Sequence, residues 1–109
     1  MTEKSLEQAK RENMRWRILV ALNAGRPYGV LETVLWRVLN DIELFATISE
    51  LRRELDYLRD KELVNIQELP PEDVQGGQWT ADLSPDGVDV VEYTLPCPAG
   101  IARPPKYWT

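Results

Sequence analysis

The chain is expected to fold as an α+β domain: a three-helix core, a two-stranded hairpin, one further helix and an extended tail. Three observations predict this. Apolar residues recur at helical spacing in three successive segments before residue 62. A loop rich in proline, glycine and acids then separates two short strand-like runs. Beyond them, Ser84-Pro85-Asp86 has the chemistry of a helix start, and PCPAGIARPPKYWT is too rich in proline to be other than extended.

The first helix is expected over residues 5–24. Leu6, Ala9, Met14, Ile18, Ala21 and Leu22 lie at near-helical spacing, and Gly25 followed by Pro27 stops it. Pro27-Tyr28-Gly29 is a short connector with turn chemistry. A second helix fits residues 31–40, with Val34, Leu35, Val38 and Leu39 apolar. Residues 41–46 are a tight link, and Thr47 with Glu50 makes the T-x-x-E pattern of a capping box. The third helix then runs to about residue 61, with Ile48, Leu51, Leu55 and Leu58 on one stripe. Residues 63–69 alternate loosely and read as a strand, and residues 78–83 as its return. In the segment after Ser84, Val88, Val91 and Leu95 would form the buried side of a helix. The β-branched run Val88, Val90, Val91 makes a strand the competing reading.

The 109 residues leave room for a single domain with one modest core, divided here into residues 1–95 and a tail of residues 96–109. A hydrophobic content of 43% and a charged content of 28% are those of an ordinary soluble protein. No apolar run approaches the length of a membrane span, and the N-terminal MTEKSLEQAKREN has no signal-peptide core. A cytoplasmic location and no membrane partner are therefore expected.

One cysteine, Cys97, and no histidine remove an internal disulfide, most zinc sites and His-dependent catalysis. There is no phosphate-binding glycine loop and no clustered set of metal ligands. The expectation is a protein that is not an enzyme, with no metal and no cofactor. Cys97, between two prolines, reads as an incidental thiol, and Asp86 and Asp89 as helix-start charges.

The net charge of −5 is unevenly spread. Residues 1–30 carry +3, whereas residues 31–69 and 70–109 each carry −4. Phosphate repels an acidic surface, so DNA binding requires a locally basic face.

Two helices joined by a short link, the second capped and leading straight into a hairpin, form the core of a winged helix-turn-helix. ELRRELDYLRDKELV resembles the helix-to-wing junction of ArsR-type bacterial winged-helix repressors, and WTADLSPDGVDVVEYT is similar to their second wing strand and following helix. The tail CPAGIARPPKYW together with GVLETVLWRVL resembles small winged-helix proteins of Mu-like phages and prophages. That resemblance covers nearly the whole chain, and its tail is the more distinctive part. It implies a DNA-binding transcriptional regulator of phage type. The wing segment 70–83 departs from the usual pattern, since it holds Glu72, Asp73 and Asp82 and no Lys or Arg.

On this reading the partner is double-stranded DNA, bound by a homodimer. The third helix enters the major groove with Arg53 at base edges, assisted by Ser49 and Tyr57, and with Arg52 and Arg59 on phosphates. Lys10, Arg11, Arg15 and Arg17 are further phosphate candidates. Trp16, Ile101, Tyr107 and Trp108 are candidates for dimer or tail packing, and Trp36 for core or dimer packing. Each has a plainer alternative. The outward face of the third helix, Ser49, Glu50, Arg53, Asp56, Tyr57 and Asp60, carries one positive and three negative charges and could be merely solvated. The basic residues of the first helix could pair with Glu7 and Glu12. Net acidity, the acidic wing and the aromatic tail suit a second function: a winged helix that binds a protein partner and no DNA.

Overall fold

The structure, a computed structural model, describes residues 5–70 and 77–106. Its elements in chain order are α1 (Leu6–Ala24), β1 (Val30–Leu31), α2 (Glu32–Asp41), α3 (Ile48–Asp60), β2 (Val64–Leu69), β3 (Gln78–Leu83) and α4 (Pro85–Val91). Hydroxyls begin three of the four helices. The Ser5 hydroxyl accepts from the Gln8 N–H at 3.1 Å, and that of Ser84 from the Gly87 N–H at 3.0 Å. At α3 the box is reciprocal: Thr47 Oγ1 accepts from the Glu50 N–H at 3.1 Å, while Glu50 accepts from the Thr47 N–H at 2.9 Å. Each bond satisfies a donor that the first turn would leave unpaired.

Helices α2, α3 and α4 end alike. At α3, Leu63 N–H donates to the Leu58 carbonyl and Glu62 N–H to that of Arg59, with Glu62 at φ 63°. Glu43 after α2 and Tyr93 after α4 have φ of 63° and 64° and sit in the same bonding pattern. This is the Schellman ending, whose left-handed position favours glycine because a Cβ there crowds the following carbonyl. Exposed Glu62 is the simplest to relieve. Glu62→Gly is expected to raise stability by about 1 kcal/mol, read as a higher urea midpoint at unchanged slope.

The sheet is antiparallel in the order β1-β3-β2. β2 and β3 form the wing, from Val64 opposite Leu83 to Leu69 opposite Gln78. β1 adds Val30 opposite Ala81 and Leu31 opposite Thr80. This third strand is absent from the sequence reading, which has a two-stranded wing. Two residues are too short to show an alternation, and only the pairing with β3 defines them. The acidic wing residues Glu72 and Asp73 lie outside the described residues, as do Tyr107 and Trp108.

The core gathers Ile18, Leu19 and Leu22 of α1, Leu35 and Leu39 of α2, and Leu51, Leu55 and Leu58 of α3, closed by Val64, Ala81, Val90 and Ile101. Several expected positions differ. Leu6 is 90% exposed, because the first turn of α1 extends past the body it packs on. Val34 and Val38 are exposed beside the buried pair Leu35 and Leu39, so only one edge of the broad apolar face of α2 is used. In α4, Val90 is buried and Val88 and Val91 only partly so, since the helix is seven residues long and turns one side to α1. Gly87 holds that seat: a Cβ there would lie 2.1 Å from the Leu63 carbonyl oxygen. Trp36, expected in packing, is 39% exposed and donates from Nε1 to the Ala46 carbonyl at 2.7 Å. Among the described residues no helix is long and apolar enough to cross a membrane.

Candidate nucleic-acid interface

The stripe of α3 that seats it in the core contains a carboxylate. Leu51, Glu54, Leu55 and Leu58 fall at i, i+3, i+4 and i+7, and Glu54 is as fully buried as its neighbours. Its Oε1 accepts from Arg15 Nε of α1 at 2.8 Å, and its Oε2 from Arg53 Nε at 3.2 Å. Arg15 also donates from Nη1 to the Gly100 carbonyl at 2.9 Å, and its guanidinium lies 3.7 Å above the Tyr57 ring. Gly100 must be small, because a Cβ there would lie 2.2 Å from the Tyr57 hydroxyl. One partly buried cation thus ties α1, α3 and the tail together.

A second pair fixes the wing against the helices. Glu32, at the start of α2 and 3% exposed, accepts from Arg52 Nε at 2.6 Å, from Arg52 Nη2 at 2.7 Å and from the Trp79 N–H at 2.7 Å. Arg52 Nη2 reaches the Gly77 carbonyl at 3.2 Å, and its guanidinium sits 4.6 Å over the Trp79 ring. Burial by itself pushes the Glu32 carboxyl up. The bonds from Arg52 and the Trp79 N–H outweigh it and hold Glu32 below the ordinary carboxylate value. The same bond raises Arg52 above the usual guanidinium value.

These pairs sort the expected site residues. Arg52 and Arg15, placed on phosphates by the sequence reading, have their guanidinium groups engaged within the fold. Tyr57 is half-buried beneath Arg15. Arg59 pairs with Asp56 at 2.7 Å, one turn back. Lys10 donates to the Phe45 carbonyl, which joins α1 to the link before α3. Ser49 is exposed at the first turn of α3. Arg53 is 59% exposed, and apart from its Nε bond to Glu54 it donates to no described residue. Arg11 is half-buried and Arg17 exposed, both without an ion pair to a described residue. Trp16 is buried, with its ring edge-on to Tyr93 at 6.2 Å, and Ile101 is 5% exposed.

The sequence reading missed Glu32, Glu54 and Trp79 as the residues that position the helix and the wing. A signal existed for the acids. Glu32, Leu35 and Leu39 share a stripe just as Glu54 does with its leucines, and a carboxylate inside an apolar stripe calls for a cation.

The order α1-β1-α2-α3-β2-β3, with α3 leading directly into an antiparallel hairpin, is a winged helix. No family model matches the sequence, and no curated protein matches it. Among solved structures, the chain is similar to Bacillus subtilis PadR, crystallised in complex with operator DNA. The TM-score is 0.59 at 15% sequence identity, covering 79% of this chain and 50% of that one. The chain therefore spans about half the length of that structure, and at this identity the likeness is one of fold.

Proposed function

We propose that the protein is a DNA-binding transcriptional regulator of the winged-helix type, with α3 as its reading helix. The observation that carries this reading is the state of Arg53. Its guanidinium is 59% exposed and, among the described residues, donates only from Nε to Glu54, whereas Arg52 on the same helix and Arg15 of α1 are engaged within the fold. Arg53 reads base edges in the major groove beside Ser49, and Arg59 supplies a phosphate contact. Arg15, Glu54, Arg52 and Glu32 are positioning residues that hold the helix and the wing in one geometry. The complex of PadR with operator DNA supports this use of the fold. The tail's resemblance to Mu-like phage proteins supports a phage or prophage setting, and a homodimer would read two half-sites one helical turn apart.

Anisotropy titration of labelled phage and random duplexes tests the reading. Binding should weaken as salt rises from about 50 to about 200 mM. Arg53→Ala should weaken it about tenfold or more, the loss of a bidentate base contact. Binding that is absent at low salt, or untouched by Arg53→Ala, removes α3 as the reading helix.

A second reading rests on a specific observation as well. Val34, Ile42 and Phe45 on and after α2 are 48%, 43% and 61% exposed, in a chain of net charge −5. That surface suits a protein partner, and the absence of any DNA binding at low salt would favour it.

A further inference from the structure

We propose that α2 carries the seam of an antiparallel homodimer. Val34 and Val38, with Ile42 at the C-cap, follow one another at i, i+4 and i+8, so they form a single ridge along the helix. All three are exposed, whereas the neighbouring Leu35 and Leu39 are fully buried. The ridge therefore lies beside the core without being covered by it. Leu31 at one end of α2 and Phe45 just past the other are exposed as well. A contiguous row of exposed apolar side chains marks an interaction surface, which single ones do not.

The charges beside the ridge identify the occupant as a second copy. Arg37 and Asp41 stand on its solvent edge, both exposed, and neither makes an ion pair with a described residue. Within one helix they are four apart with the base first, the weaker order for an ion pair. Two copies of the ridge can face each other across a two-fold axis in two ways. With the helices parallel, the charged edges fall on opposite sides of the seam. With them antiparallel and the axis at Val38, both edges fall on the same side. At a rise of about 1.5 Å per residue, Arg37 then stands only about 3 Å along the seam from Asp41 of the second copy, and symmetry makes the pair twice. Val38 meets its own counterpart, and Val34 meets Ile42 on either side of it. Ridges of this spacing interlock at about 50°, the commonest helix crossing in globular proteins. The α2 helix also holds the reading helix, since Glu32 accepts from Arg52 of α3 and Trp36 donates to the Ala46 carbonyl beside the α3 cap. Joining two α2 helices therefore fixes one α3 against the other. The inference gives a contact to the homodimer proposed above, rests on that part of the reading alone, and is tested without DNA.

Sedimentation equilibrium of the full chain is the test. One helix pair buries an area at the low end of specific interfaces, so a reversible dimer with micromolar dissociation is expected. Val38→Lys sets like charges on the axis and should weaken the dimer about tenfold or more. It should leave the far-ultraviolet dichroism unchanged, because the side chain is already exposed. Arg37→Asp and Asp41→Arg should each weaken the dimer too. An equimolar mixture of those two variants should associate more tightly than either alone, since both ion pairs re-form between unlike chains. A wild type that stays monomeric at high micromolar concentration, a dimer indifferent to Val38→Lys, or a mixture no tighter than its components would overturn the proposal. Salt-dependent DNA binding by a strictly monomeric chain would overturn it too, while leaving α3 as the reading helix.

Discussion

Glu54→Ala is expected to destabilise the fold by about 3–5 kcal/mol, the range for removing one partner of a buried ion pair. A loss of that size is a large share of the roughly 5–15 kcal/mol that holds a domain of this kind together. Without the carboxylate, the Arg15 guanidinium sits at 14% side-chain exposure with, among the described residues, only the Gly100 carbonyl and the Tyr57 ring for company. The loss should come from the stranded cation, not from the missing methylenes. The double substitution Arg15→Met with Glu54→Met removes both charges and fills the space, and should recover most of the stability. Urea denaturation of the wild type, the single variant and the double variant decides the matter. A double variant as unstable as Glu54→Ala would show that the charges are not the cause.

Glu32→Ala should cost about 3 kcal/mol and act mainly on the wing. Its three charge-assisted bonds join α2, α3 and β3, and no other described side chain replaces them. Arg52, with 32% side-chain exposure, can recover some hydration, so the loss should fall short of that at Glu54. The Trp79 amide should lose hydrogen-exchange protection more than the amides of α1. Protection at Trp79 equal to wild type would place the anchor of the wing elsewhere. The same pair gives a pH dependence. Glu32 has a lower pKa folded than unfolded, so its contribution is complete above the unfolded carboxylate value of about 4.3. It is lost as pH falls through the folded value. The stability gap between wild type and Glu32→Gln should therefore be constant near neutrality and narrow as pH drops below about 4.

Much of the fold is legible in the sequence because its signals are local. Ser5, Thr47-x-x-Glu50 and Ser84-Pro85 mark helix starts through bonds made within three residues. The α3 stripe and the loop between residues 69 and 78 place the helix and the hairpin. β1 was not legible, since Val30 and Leu31 become a strand only by pairing with β3 some fifty residues later. At the candidate site, residue identity was legible and residue duty was not. Arg15, Arg52 and Arg53 are alike in sequence, and each was a fair candidate for a nucleic-acid contact. The fold gives two of them buried carboxylates from other elements and leaves the third, paired only with its chain neighbour Glu54 among the described residues, largely exposed.

By itself the sequence determined the order of helices and hairpin, the helix starts, and the absence of histidine and of paired cysteines. Those properties follow from spacing and composition, which need no partner. Only the tertiary structure decided which cations are available for a ligand. A guanidinium is committed or free according to whether a carboxylate from another element reaches it. Glu54 meets Arg15 across 39 positions of chain, and Glu32 meets Arg52 across 20. The charge that remains for a partner is therefore a property of the packing, and in α3 it resides chiefly at Arg53.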